Sequence, residues 1–207
     1  MSTFKHDLKQ ERILNEYLDS IYHSKKLNFS RVNELEQQHR GVDVIFSHHS
    51  TDYFIDEKAQ LHYLNKDLPT FTFELSYLNK YQKIKEGWLF DKSKKTHFYF
   101  LVTAILLKKS KPKLTTPNDV LSLKITSVNR EKLIDHLNQI GLSRQQLDEY
   151  DFDIRNTLSF GKNIIPELNE KRAGLIYYTQ HLKERPINLQ LRLQYLIDKN
   201  VAKVFHH

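Results

Sequence analysis

The 207-residue sequence predicts a mixed α/β domain, and three observations carry that reading. Residues 5–24 place Ile13, Leu14, Tyr17, Leu18 and Ile21 at three- and four-residue spacing, the apolar stripe of an amphipathic helix. Residues 42–47 and 53–59 are short β-rich runs joined by the polar stretch His48-His49-Ser50-Thr51, which reads as a hairpin. Residues 97–107 (HFYFLVTAILL) are apolar over strand length and read as a long buried strand.

The remaining elements follow in order. Residues 71–75 (FTFEL) read as a strand, and the Lys-rich segment after it, ending in Gly87-Trp88-Leu89-Phe90, fits no one state. Pro112 and Pro117 mark 108–118 as a loop. A strand is predicted at 121–127. Asn129 then caps a helix with Leu133, Ile134, Leu137 and Ile140 on one face, and Gly141 stops it. Ser143 with Gln146 three residues on forms a capping box for a further short helix. Residues 174–180 read as a strand. The run after Arg185-Pro186 reads two ways: it alternates like a strand at first, and from Leu193 its apolar residues take helical spacing. No repeat or linker divides the chain, so residues 1–207 are read as one domain.

Composition narrows the function classes. The absence of Cys excludes a disulfide framework, a zinc ribbon and a thiol nucleophile. Five Gly and five Pro argue against a low-complexity chain, and 12 Phe and 11 Tyr supply bulk for a core. The longest apolar run, Phe98 to Leu107, falls short of the roughly 18–20 residues that span a bilayer. The opening MSTFKHDLKQER has no apolar stretch of the signal-peptide kind. The expectation is a soluble, cytoplasmic protein with no membrane partner. No GxxxxGK[ST], GxGxxG or GxSxG is present, so no nucleotide cofactor is expected.

The net charge of +7 is concentrated. Residues 79–113 hold ten lysines, among them Lys80, Lys83, Lys85, Lys92, Lys94 and Lys95, against Glu86 and Asp91. That segment carries +8 and the rest of the chain about −1. Such a surface suits a polyanion, although lysines also keep loops soluble and sheet edges unpaired.

The chemistry-bearing residues lie on the hairpin. A turn centred between His49 and Ser50 sets Asp43 opposite Asp56, and directly opposed Cβ atoms are about 4.5–5.5 Å apart. Strand alternation puts Lys58 on the face of Asp56 and turns Glu57 the other way. Two carboxylates so placed repel unless one is protonated or a cation lies between them. A hard divalent ion such as Mg²⁺ fits, with Lys58 positioned to steer a water or steady phosphate charge. Asp43, between Val42 and Val44, is expected in a partly dry place. On the first helix, Glu11 falls on the flank of the apolar stripe and Glu16 on the solvent side, so Glu11 is the helix acid able to approach the site.

Asp43 followed by Asp56-Glu57-Lys58 on the partner strand, behind an acid-bearing helix, resembles the PD-(D/E)XK nuclease superfamily. The wider wording also resembles an uncharacterised bacterial group within it. The stretches concerned are QHRGVD at 38–43, DEKAQ at 56–60, FELSY at 73–77, GWL at 87–89 and RPINL at 185–189. Val42 stands where the superfamily name has Pro, and the second acid is Asp rather than the commoner Glu. The resemblance implies a restriction-endonuclease-like core over about residues 5–107, a central mixed sheet flanked by helices, with a C-terminal α/β elaboration over about 119–207. It implies hydrolysis of phosphodiester bonds with Mg²⁺ or Mn²⁺. Asp43, Asp56 and the Glu57 backbone carbonyl would be the metal ligands, with Lys58 and Glu11 as further catalytic residues. Gln60 is a secondary candidate, and Gln38 and Glu74 are weaker ones. DNA is the implied partner, and a homodimer that cuts both strands is compatible with the family.

Two other readings compete. Residues 130–151 have the spacing of a helix-turn-helix with Arg144, Gln145 and Gln146 facing a groove, which would make the chain a DNA-binding protein without catalysis. A nuclease-like scaffold within a protein complex is the third. His48-His49 and His206-His207 lack the spacing of a metal site and are expected to be exposed.

Overall fold

The computed structural model describes residues 3–207, with side chains from Leu8 onward. In chain order the elements are α1 (Thr3–Ser24), β1 (Phe29–Arg31), α2 (Leu35–His39), β2 (Val44–His48), β3 (Thr51–Ala59), β4 (Thr70–Leu78), β5 (Ile84–Glu86) and β6 (Phe98–Leu107). They continue with β7 (Val120–Asn129), α3 (Arg130–Gln139), α4 (Arg144–Asn156), β8 (Gly161–Asn163), β9 (Gly174–Tyr178), β10 (Ile187–Arg192), α5 (Leu193–Asp198) and β11 (Ala202–His206). The fold is mixed α/β, with multi-stranded sheets and helices packed on them.

The chain forms two compact units that interleave in sequence. The first takes the residues through Leu68, Lys95–Asn129 and Lys203–His207, and the second takes Pro69–Lys94 and Arg130–Ala202. This partition cuts the chain elsewhere than a core at 5–107 followed by an elaboration from 119. The reason is strand pairing. The FTFEL strand belongs to β4, whose neighbours are β5 and β10, not the strands of the first sheet.

The first unit holds a six-stranded sheet in the order β1-β2-β3-β6-β7-β11. β3 and β6 run parallel, and the β1–β2, β2–β3 and β6–β7 pairs are antiparallel. The predicted stripe of α1 is its buried face: Ile13, Leu14, Leu18, Ile21 and Tyr22 pack with Val44, Ile55, Phe100, Val102, Ile105 and Ile125. Each such aliphatic side chain contributes about 1.5–3 kcal/mol when fully buried. Ala104 takes a left-handed conformation (φ 47) where the β6–β7 register shifts. This bulge lets Val102 and Ile105 both join the cluster under α1, which strict alternation forbids. Phe205 of β11 closes the cluster, its ring 4.5 Å from that of Phe100 and 6.1 Å from that of Tyr22.

The second unit holds a five-stranded antiparallel sheet, β5-β4-β10-β9-β8. Phe73 of β4 opposes Leu189 of β10, and both are fully buried. The segment that read two ways resolves into both states: β10 alternates to Arg192, α5 follows from Leu193, and β11 comes after it. Asn129 ends β7, and α3 begins at Arg130. A buried network ties α4 to β4. The Ser76 hydroxyl, the Asp151 carboxylate and the Arg155 guanidinium bond one another, so none of the three is left unsatisfied.

The hairpin turn matches its predicted centre. His48 pairs with Thr51, and His49 (φ 46) and Ser50 (φ 62) are both left-handed, the signature of a type I′ turn. A side chain in that region costs about 1–2 kcal/mol that glycine avoids. Ser50→Gly is therefore expected to stabilise the protein by about 0.5–1 kcal/mol, read as a higher urea midpoint at unchanged m-value.

Candidate active site on the β2–β3 hairpin

Asp43 lies one residue before β2 and its backbone is held on both sides. Its N–H donates to the Ile55 carbonyl at 2.8 Å, and its carbonyl accepts the Val32 N–H at 2.8 Å. The approach to it is pinned too. Gly41 (φ 71) turns the chain out of α2, its N–H donating to the Gln38 carbonyl, and the Thr96 hydroxyl donates to the Gly41 carbonyl at 2.7 Å. Val44 pairs with Ile55, whose carbonyl also takes the Asp43 N–H, so Asp43 leaves the ladder beside Ile55, near enough to Asp56 to feel its charge.

β3 divides its side chains as alternation requires. Glu57 turns toward α1, where its carboxylate accepts the Tyr22 hydroxyl and an Arg31 N–H at 2.7 Å. Arg31 also donates to Asp19, which fixes the guanidinium between two acids. Burial works against the Arg31 charge, but the Asp19 and Glu57 carboxylates hold its pKa above the ordinary value. Burial first, and then the Glu57 charge, push the Tyr22 hydroxyl well up, so it remains a donor. Asp56 and Lys58 face the other side of the sheet. Asp56 is 2% exposed, and Lys58 Nζ lies 2.7 Å from its Oδ1.

Asp43 is half-buried between Val42 and Val44, both buried. Burial first, and then the Asp56 charge, push its carboxyl up to about 7 from 3.8. Lys58 and the Glu57 N–H, which donates to Asp43 Oδ2 at 2.8 Å, pull the other way. The Ile55 carbonyl points toward the β2 edge, since it accepts from Asp43. Two residues on, the Glu57 carbonyl points to that same edge, beyond which lies the Asp43 carboxylate. The Asp43 carboxylate, bonded to the Glu57 N–H, thus lies near the Asp56–Lys58 ion pair where β2 begins. Among the described residues, no group of three or more His, Cys, Asp and Glu side chains is placed to hold a metal. A site here would draw on two carboxylates and backbone oxygen.

The other sequence candidates fall in several places. Glu11 is exposed on α1, and the buried polar residue of that turn is Gln10, which the helical projection did not single out. Gln60 follows β3 in phase with Lys58, its N–H donating to the Val102 carbonyl, and its side-chain oxygen is enclosed. Gln38 serves the backbone, donating to the Val32 carbonyl at 3.0 Å. Glu74 lies on β4 in the second unit. Lys80, Lys83, Lys85, Lys92 and Lys95 are exposed, and Lys94 is half-buried 3.9 Å from Asp91. Lys95 belongs to the first unit and the others to the second. His48 and His49 are exposed as expected, whereas His206 is half-buried on β11.

The helix-turn-helix spacing is present as α3, Gly141 (φ 88) and α4, with the Ser143 hydroxyl accepting the Gln146 N–H at 3.2 Å. Arg144 pairs with Glu86 and Asp148, and Gln145 donates to Glu149. Two of the three supposed reading residues are therefore engaged within the protein. The clamp of Tyr22, Arg31 and Asp19 on Glu57 escaped sequence reasoning, because nothing in spacing links residues 19, 22, 31 and 57. Among the described residues, no helix is long and apolar enough to cross a membrane. No protein-family model matches the chain, and no curated protein or solved structure matches it either.

Two outcomes are expected. The folded protein binds the Asp43 proton more tightly than the unfolded chain does. Metal-free protein should therefore lose stability as pH rises from about 4 to about 7, and Asp43→Asn should flatten that slope in urea unfolding with a chelator present. Arg31→Met leaves Glu57 buried without its cation. We expect a loss of about 2–4 kcal/mol in the same assay, less than for a fully buried pair because the Arg31 side chain keeps 17% exposure.

Proposed function

We propose that this chain is a metal-dependent nuclease that hydrolyses phosphodiester bonds, with DNA as its substrate. The observation that supports this best is the Asp43 carboxylate, bonded to the Glu57 N–H, beside the Asp56–Lys58 ion pair. Keeping two acids side by side where burial raises the carboxyl of one of them is costly for a purely structural arrangement. A divalent cation would offset that cost, and the residues fit one: Asp43, Asp56 and the Glu57 carbonyl are hard oxygen donors. When bound, Mg²⁺ or Mn²⁺ would supply charge to a phosphate oxygen and acidity to a water.

The chain's own residues supply the rest. The Lys58 ammonium donates hydrogen bonds to a non-bridging phosphate oxygen as negative charge builds there, and Asp56 holds Lys58 for that task. Tyr22 and Arg31 fix Glu57 on the far side of β3, which keeps Asp56 and Lys58 in phase toward the site. The exposed lysines of 80–95 would hold the phosphate backbone of DNA. This reading makes the first unit restriction-endonuclease-like, places the protein in the cytoplasm and accommodates a homodimer that cuts both strands.

The test is hydrolysis of supercoiled and linear DNA with Mg²⁺ or Mn²⁺. Asp56→Ala and Lys58→Ala should each lower the rate by roughly 100-fold or more, and a chelator should abolish it. Cleavage that persists undiminished in both variants overturns the assignment.

A further inference from the structure

The β4–β5 hairpin carries an exposed basic and aromatic face whose tip is rigidly built. Tyr77 pairs with Lys85 and Leu78 with Ile84. Beyond them, Asn79 organises the tip. Its side-chain oxygen accepts the N–H groups of Tyr81 and Lys83 at 2.9 and 3.1 Å, and its own N–H donates to the Lys83 carbonyl at 3.0 Å. Gln82 supplies the left-handed residue (φ 56) that closes the turn. The root is equally fixed. A Cβ on Gly87 would come within 2.3 Å of the Glu74 carbonyl oxygen, so the returning chain lies hard against β4 and only glycine fits.

This frame presents Tyr81, 69% exposed, with the Lys80 ammonium 4.9 Å from its ring centre. Lys85 of β5 lies beside Tyr77, Lys83 immediately precedes the strand, and Ile84 points to the face opposite Lys85. The fold adds charge from far along the chain. The Leu78 N–H donates to the Glu184 carbonyl, which brings the exposed loop with Lys183 and Arg185 against the hairpin next to its tip. Of the nearby acids, Glu86 is held by Arg144, and exposed Glu184 offsets one of the two cations that flank it, so the loop adds a net charge of about +1.

We propose that the β4–β5 hairpin is a binding arm for single-stranded nucleic acid, in which the Tyr81 ring stacks on an unpaired base and Lys83, Lys85 and the Lys183–Arg185 loop hold the flanking phosphates. An exposed aromatic ring among lysines recognises a flat base beside a phosphate, and stacking needs a base that is not already between neighbours. A lipid surface is the poorer match, because Ile84 points to the face opposite Lys85, which leaves the lysines and the aliphatic side chain of the hairpin on different sides. The proposal refines the substrate of the nuclease reading toward unpaired or frayed strands, and it rests on that reading only for the consequence of binding.

Binding is measured by fluorescence anisotropy on the full chain, with chelator present so that no strand is cut. The probes are labelled oligo-dT, a duplex of the same length, and vesicles of phosphatidylserine and phosphatidylcholine. Oligo-dT should bind more tightly than duplex. Tyr81→Ala should weaken it roughly 5- to 100-fold while Tyr81→Phe restores it. Lys83→Gln with Lys85→Gln should lower the slope of log affinity against log salt by about 0.7 for each lysine. Unfolding midpoints of the variants confirm that the fold is kept. Wild-type affinity in Tyr81→Ala, preference for duplex, or vesicles displacing oligo-dT through the same lysines overturns the proposal. Because no metal is present, loss of binding here and loss of cleavage in Asp56→Ala are separate results.

Discussion

Two acids fixed side by side at the mouth of a hairpin organise the first unit. Asp43 is held beside Ile55, next to Asp56, by backbone bonds that do not depend on either carboxylate, so the sheet cannot relieve their repulsion by slipping. A one-residue slip would also turn Val44 and Ile55 out of the cluster under α1. The repulsion is therefore held by the hydrophobic core, and its local answers are visible: Lys58 pairs with Asp56, the Glu57 N–H bonds Asp43, and burial favours the proton on Asp43. Strain of this sort, kept in place by surrounding structure, is what a cation or a phosphate could exploit.

Behind the site, a second charged cluster sets the phase of the strand. Glu57 is the residue between Asp56 and Lys58, and its engagement by Tyr22 and Arg31 makes it hard for β3 to rotate or shift. The same strand thus buries charge on both faces, with cations assigned to each: Arg31 on the α1 side and Lys58 on the other. Removing either cation would leave an acid on its own face while leaving the opposite face intact. The two charged faces are in this way separable along three consecutive residues.

Much of the hairpin was legible in the sequence because its determinants are local. Alternation, a polar two-residue turn and flanking β-branched residues were enough to place the turn, to pair β2 with β3 from Val44 onward and to turn Glu57 away, but not to show that the Asp43 N–H would bond Ile55. The stripe of α1 was legible for the same reason, as was the N-cap at Ser143. Other features depended on contacts distant in sequence. The FTFEL strand reads alike whichever sheet it joins, and its partner INLQLR lies more than a hundred residues on. Glu11 and Gln10 both flank the apolar stripe, and the packing that buries one and exposes the other is not written in periodicity. The loop carrying Lys183 and Arg185 joined the basic hairpin through one backbone bond that no composition window could register.

The interleaving of the two units bears on how the protein is made. Phe205, which completes the aromatic cluster of Tyr22, Phe46 and Phe100, comes from β11, after nearly all of the second unit. A chain emerging from the ribosome would assemble α1, the hairpin, β6 and β7 and still lack its edge strand until residues 202–206 arrive. During that interval β7 presents an open edge, beside which Leu121 is 60% exposed. Synthesis order thus makes the second unit a waiting period for the first, and neither can be excised as one continuous fragment.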